Sequence, residues 1–182
     1  MSNGPVAVVL LDRDGVINVD LPTGVLRLAD LCLEPAAPAA IARFTAAGWR
    51  VAVCTNQACV GRGEVSAEEI ARIHAAIEAA VTAAGGRIDA WFVCTHRSED
   101  RCPCRKPEPG LLLQARDRFG FDPATTWFVG DAERDVEAAE AAGCQPLLVR
   151  TGKGRAASAA CPDIPAVDDL AAAATLLLGP DR

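Results

Sequence analysis

The stretch that most constrains this chain is an apolar run, Val6 to Leu11, which breaks into Asp12-Arg13-Asp14-Gly15. An apolar strand that ends in two carboxylates and a glycine reads as the working edge of a parallel sheet, where strands are buried on both faces. Alternation along an extended chain sets Asp12 and Asp14 on one side and Arg13 on the other. Like charges that close repel, so a cation belongs beside them, either a metal ion or a lysine arriving from elsewhere. Taken alone, the tetrapeptide is equally well a solvated turn after a strand. The rest of the chain decides.

Strand and helix patterns alternate along the sequence. Residues 38–47 are helical and stop at Gly48, and Val51 to Cys54 is a second buried strand running out into Thr55, Asn56, Gln57 and a glycine-containing loop with Arg62. Ser66 and Glu69 form a capping box ahead of a helix striped by Ile70, Ile73, Ile77 and Val81, which ends at Gly85-Gly86. His74, beside that stripe, reads as a structural histidine. Ala90 to Val93 is a third strand, Leu111 to Phe119 a helix, Thr126 to Val129 a fourth strand, Glu133 to Ala142 a helix and Pro146 to Val149 a fifth strand. Residues 19–33 suit a flap or loop, and a last helix over 167–178 closes the structure. The alternation predicts one α/β domain over residues 1–182, a three-layer α/β/α Rossmann-like fold with a mainly parallel sheet and no large cap.

Composition narrows the function. The chain lacks tyrosine and is rich in alanine, so its helices are expected to pack through small side chains. No apolar run approaches the roughly 20 residues needed to span a bilayer, and there is no signal pattern; a cytoplasmic protein without membrane partner, and a monomer, is the expectation. A net charge of -6 counts against a nucleic-acid partner held on a basic face.

In parallel sheets ligands bind beyond the carboxyl ends of the strands. There the sequence places Asp12 and Asp14, Thr55 and Asn56, Asp131, and, one loop after the third strand, Lys106. This set suits phosphoryl transfer through a covalent aspartyl phosphate, in which the protein neutralises charge and holds the geometry in line. Asp12 is the expected nucleophile, Asp14 the general acid and then base, Asp12 and Asp131 the Mg²⁺ ligands, Thr55 a hydroxyl donor and Lys106 a point charge on the phosphoryl group. Of eighteen basic residues, only Lys106 and Lys153 are lysines, which gives the ammonium at 106 weight.

Among the eight cysteines, Cys94, Cys102 and Cys104 cluster with His96, while Cys32, Cys54, Cys59, Cys144 and Cys161 are scattered. Cys94, His96, Cys102 and Cys104 supply four zinc ligands, enough for a closed structural site in the loop 94–104. Fixing that loop would fix Lys106 and Arg105. Arg62 and Arg105 are the candidates to grip a distal phosphate or carboxylate of the substrate, with Gln57 and Asn18 as polar lining and Lys153 in a structural or peripheral role.

Four segments carry a resemblance to a known family: Asp12-Arg13-Asp14-Gly15-Val16-Ile17-Asn18, Cys54-Thr55-Asn56-Gln57, Cys104-Arg105-Lys106-Pro107 and Val129-Gly130-Asp131-Ala132-Glu133-Arg134-Asp135. In this order they resemble the motifs of haloacid dehalogenase-like phosphatases, and more narrowly the capless, zinc-loop branch that holds heptose bisphosphate and histidinol-phosphate phosphatases. The resemblance implies Asp12 as nucleophile, Asp14 as acid/base and backbone metal ligand, Thr55 and Lys106 as phosphate binders, Asp131 as Mg²⁺ ligand, and Asp135 as a support for the metal shell or a helix cap. It implies a small phosphorylated metabolite as substrate, with D-glycero-D-manno-heptose 1,7-bisphosphate losing its 7-phosphate first in line and histidinol phosphate second. A DNA 3'-phosphatase lacks its basic strip here. A non-catalytic receiver-like phospho-acceptor places its acid pair differently, and a zinc-mediated interaction module leaves Asp12, Asp14, Thr55 and Asp131 without a role.

Overall fold

The computed structural model describes residues 7–179; Val6, the first residue of the opening apolar run, lies outside them. Six parallel strands, β1 (Val8–Leu11), β2 (Arg50–Asn56), β3 (Ala90–Cys94), β4 (Trp127–Gly130), β5 (Gln145–Val149) and β6 (Ala166–Val167), lie in the order β3-β2-β1-β4-β5-β6. Every residue of β1 is buried, because both faces of the sheet are covered. Val9, Leu11, Val51 and Val53 point into one layer with α1 (Ala37–Ala46), α3 (Ala67–Ala83) and α7 (Leu170–Leu178). Val8, Leu10, Ala52 and Cys54 point into the other with α4 (Gly110–Phe119) and α5 (Glu133–Ala141). The period of two along each strand thus feeds two separate cores, and the short helices α2 (Ala58–Gly61) and α6 (Gly154–Ala160) complete the chain. In α3 the stripe Ile70, Ile73, Ile77 and Val81 is buried, each side chain contributing about 1.5–3 kcal/mol relative to exposure.

The strand order reverses between β1 and β4, and the crevice outside such a switch point is where α/β sheets bind ligands. The backbone of Asp12 is tied across it, its N–H donating to Val129 O at 2.9 Å.

Several expectations shift in detail. Only half of the capping box forms: Ser66 Oγ accepts from Glu69 N–H at 3.2 Å, but the Glu69 carboxylate turns away to accept from Leu28 N–H, at 2.9 Å, and so ties the 19–33 flap to α3. That flap carries a single turn of 3-10 helix, Leu28–Asp30. Residues 166–167 are the sixth strand rather than the start of the last helix, which begins after Asp169, whose carboxylate accepts from Ala172 N–H at 2.8 Å. Among the described residues no helix is long and apolar enough to cross a membrane.

Candidate active site

Asp12 follows the last residue of β1 and is 2 % exposed. Its Oδ1 accepts from Arg13 N–H at 2.7 Å and meets Lys106 Nζ at 2.8 Å; no described group bonds Oδ2. The same ammonium lies 2.7 Å from Asp135 Oδ1. The lysine demanded by the acid pair has therefore arrived, wholly buried between two carboxylates. Its place is set by Asn56: the amide donates to Lys106 O at 3.0 Å and accepts from Lys106 N–H at 3.1 Å. Asn56, a candidate phosphate or substrate binder at this sheet edge, lines the cleft and also holds the backbone of the lysine through both its polar atoms.

Asp14 differs from its expected surroundings. Strand geometry ends at Leu11, so alternation no longer separates the neighbours, and the Arg13 guanidinium folds back on Asp14 Oδ1 through Nε at 3.2 Å and Nη2 at 2.7 Å. Asn18 donates to the same oxygen and Gln57 to Oδ2, each at 2.9 Å. Although burial works to raise its pKa, the Arg13 charge and these hydrogen bonds hold the carboxyl below the usual range. Arg13 is fully buried and its Nη1 lies 3.3 Å from His74 Nε2. His74 stacks on Trp91 with ring centres 3.9 Å apart, and burial followed by the Arg13 charge pushes its pKa down to about 3. The structural histidine is thus a neutral acceptor that aims the arginine holding Asp14. Gln57 also donates to Thr55 Oγ1 at 2.9 Å, leaving the threonine proton free. Asn18 is buried on Asp14 and Val19 O rather than lining the cleft.

Asp131, at the end of β4, is fully buried. Its Oδ2 accepts from Lys153 N–H at 2.8 Å, while Oδ1 is sealed from solvent without a partner. Gly15 and Gly152, both with positive φ, press their backbones against this carboxylate so closely that a Cβ on either would overlap Oδ2. One oxygen from each of Asp12, Asp131 and Asp135 falls within 4.8 Å of the others. Burial, then its neighbouring carboxylates, pushes Asp131 up to about 7; burial against the pull of Lys106 pushes Asp12 up to about 6. A single ammonium offsets three carboxylates here, and the orphaned Asp131 Oδ1 together with the Asp12 carboxylate fits a hard divalent cation such as Mg²⁺. Asp135 supports this shell: its Oδ2 accepts from Asp131 N–H and Ala132 N–H at 3.2 and 3.0 Å, and its Oδ1 faces the Lys106 ammonium.

Asp14 and Asn56 open onto a cleft of about 170 Å³ walled by the flap residues 20–24, Gln57, Arg62, Arg105, Arg134 and Lys153. Arg62 is at the rim with both guanidinium contacts spent on Glu64, at 2.7 and 2.8 Å. The Arg105 guanidinium lies 3.5 Å from His96 O. Lys153 is not peripheral: besides its N–H on Asp131, its ammonium pairs with Asp20 of the flap at 2.7 Å. Sequence reasoning missed Arg134, Asp20 and the roles of Arg13 and His74; the signal for Arg134 was its position inside the fourth motif.

The second cluster is compact. Cys94 Sγ lies 3.6 Å from both His96 Nδ1 and Cys102 Sγ, and Cys104 Sγ lies 3.3 and 3.5 Å from the same two atoms. A tetrahedron with Zn–S arms of 2.3 Å has edges of roughly 3.7 Å, so the four ligands stand at zinc-like separation, and all four residues are free of disulfides.

An aspartate pair at the first strand, a threonine at the second, a buried lysine and a carboxylate at the fourth, on this topology, define a class. The family described as HAD-hydrolase-like matches residues 103–173, and the chain belongs to the haloacid dehalogenase-like phosphatases. Among the particular proteins it is similar to is a D-glycero-beta-D-manno-heptose-1,7-bisphosphate 7-phosphatase from Pseudomonas aeruginosa, 42% identical over 94% of this chain and 98% of that one. Another of the same name from Bordetella bronchiseptica is 41% identical over 93% of this chain and 97% of that one. The crystal structure of the D,D-heptose 1,7-bisphosphate phosphatase from B. bronchiseptica, complexed with magnesium and phosphate, superimposes with a TM-score of 0.92 at 39% identity, covering 95% of this chain and 98% of that one.

Proposed function

We propose that this phosphatase removes the 7-phosphate of D-glycero-D-manno-heptose 1,7-bisphosphate through an aspartyl phosphate on Asp12. The observation that carries the chemistry is the Asp12 carboxylate itself, with Oδ1 held by Arg13 N–H and Lys106 and Oδ2 left to attack. Thr55 donates its free proton to a phosphoryl oxygen. Asp14 is held as a carboxylate in the free protein; a phosphoryl dianion beside it raises its proton affinity, so it accepts a proton then and passes it to the leaving sugar oxygen. It next takes a proton from the water that cleaves the aspartyl phosphate, returning Asp12 as a carboxylate. Mg²⁺, held by Asp12, Asp131 and the Asp14 backbone, supplies charge neutralisation for the transferring group when bound.

Zinc on Cys94, His96, Cys102 and Cys104 is a structural part of the same reading. It pins the loop that carries Arg105 and Lys106, and Arg105 with Arg62 takes the distal phosphate. Residues 1–182 are read as one domain acting as a cytoplasmic monomer; eight free cysteines suit a reducing compartment. Support for the sugar comes from the names of the relatives. The test is phosphate release with Mg²⁺ from the heptose bisphosphate, its 1-phosphate and histidinol phosphate. The bisphosphate should lose one phosphate with the highest kcat/KM, and Asp12→Asn should abolish turnover. Preference for histidinol phosphate would overturn the substrate, and an active Asp12→Asn would overturn the nucleophile.

A further inference from the structure

We propose that Arg134 is a further catalytic residue, whose guanidinium takes an oxygen of the phosphoryl group under transfer; this rests on Asp12 as nucleophile. Arg134 stands in the first turn of α5, three residues after Asp131, and its side chain lines the cleft floored by Asp14. Its Nε is sealed from solvent and has no hydrogen-bond partner, and the guanidinium makes no ion pair among the described residues. A buried donor without an acceptor is destabilising, which is tolerated where a ligand brings the acceptor.

Most other cations of the site face a carboxylate in the free protein. Lys106 is held between Asp12 and Asp135, Arg13 on Asp14, Lys153 on Asp20 and Arg62 on Glu64. Arg105 is available, but it belongs to the loop beside His96. Arg134 alone combines an uncommitted guanidinium with a place among the acids: burial works against its charge, yet Asp12, Asp135, Asp131 and Asp20 hold it firmly protonated. Without it, a phosphoryl dianion would enter a site of three buried carboxylates offset by one ammonium and, when bound, Mg²⁺. A guanidinium offers parallel N–H donors that match two phosphoryl oxygens, which an ammonium does not.

Inorganic phosphate separates this role from a grip on the distal group, because it has none. The measurement is phosphate binding by calorimetry in the presence of Mg²⁺, together with KM and kcat for p-nitrophenyl phosphate and for the heptose bisphosphate, in Arg134→Ala and Arg134→Lys. Expected is a loss of phosphate affinity of about 10- to 100-fold in the alanine variant, a matching fall in kcat/KM for both esters, partial recovery in the lysine variant, and recovery of the alanine variant by added guanidinium. Unchanged phosphate affinity with a loss confined to the bisphosphate would overturn the proposal in favour of distal binding. A lowered melting temperature without guanidinium recovery in either variant would overturn it in favour of a structural role. Asp12→Asn serves as the control: phosphate binding without turnover there keeps the nucleophile reading standing whatever Arg134 does.

Discussion

Replacing Lys106 with methionine removes the ammonium while keeping an unbranched apolar stem of similar length. In the native site Nζ is 2.8 Å from Asp12 and 2.7 Å from Asp135, with all three side chains at most 3 % exposed. At an effective dielectric of 20, each contact is worth about 6 kcal/mol of Coulomb attraction, most of it offset by the desolvation of three ions. What decides the outcome is that the variant leaves two carboxylates buried without their counter-ion, for which the expected cost is about 3–5 kcal/mol. For a chain of this size that corresponds to a fall in melting temperature of roughly 6–20 °C. The assay is urea unfolding of wild type, Lys106→Met, Asp135→Asn and the double variant, all without Mg²⁺. Asp135→Asn in the Lys106→Met background should cost far less than in the wild type, a coupling of more than about 1 kcal/mol. Additive losses, or a Lys106→Met as stable as wild type, would refute the buried triad as the centre of the site.

Asn56→Ala frees the Lys106 backbone and should lower kcat by about tenfold or more through misplacement alone, with Asn56→Asp, which keeps the acceptor, retaining more; steady-state kinetics decide. Metal analysis of protein purified without chelators should find one zinc per chain, and its removal should lower both melting temperature and turnover, with Zn²⁺ restoring both. His74 has a folded pKa of about 3 against an ordinary 6.5, so the unfolded chain takes up a proton that the folded one refuses, and stability present above pH 6.5 is lost as pH falls toward 3. His74→Leu should flatten that portion of the dependence measured by urea unfolding at pH 7 and 4.5, while costing about 1–3 kcal/mol at pH 7 because Arg13 Nη1 loses its acceptor.

The sheet was legible because every strand is a short apolar run that ends at a polar break, and the stripe of α3 keeps helical spacing over three turns. The candidate site was legible for the same reason: strand ends in a parallel sheet share one edge, so Asp12, Thr55 and Asp131 fall together once the strands are drawn. Side-chain commitments were not legible. Nothing in the spacing says that Arg13 curls back along its own backbone to Asp14, since that follows from the chain leaving extended geometry after Leu11. Nor does it say that Asn56 holds a backbone fifty residues away, or that Glu69 abandons its own cap for Leu28. Strand β6 escaped because its two half-buried residues carry no periodicity.

The scarcity of lysine acquires a structural meaning in this site. Both lysines of the chain end on carboxylates of the site, and each does what a guanidinium would do poorly. Lys106 must meet two carboxylate oxygens at 2.7–2.8 Å in a space closed to solvent, where a compact ammonium fits between the acids and a planar fork would force them apart. Lys153 reaches from a tight turn, its N–H on Asp131 and its ammonium on Asp20, so one residue links the carboxylate that fits Mg²⁺ to the flap that walls the cleft. Arginine takes the tasks of opposite geometry: Arg13 forks onto one oxygen of Asp14 while a third nitrogen reaches His74. The division explains why an acid pair that would repel itself in water is stable here. Asp12 and Asp14 are neutralised by different cations, so in the proposed reaction a proton exchanged at Asp14 leaves the contacts that hold Asp12 in place.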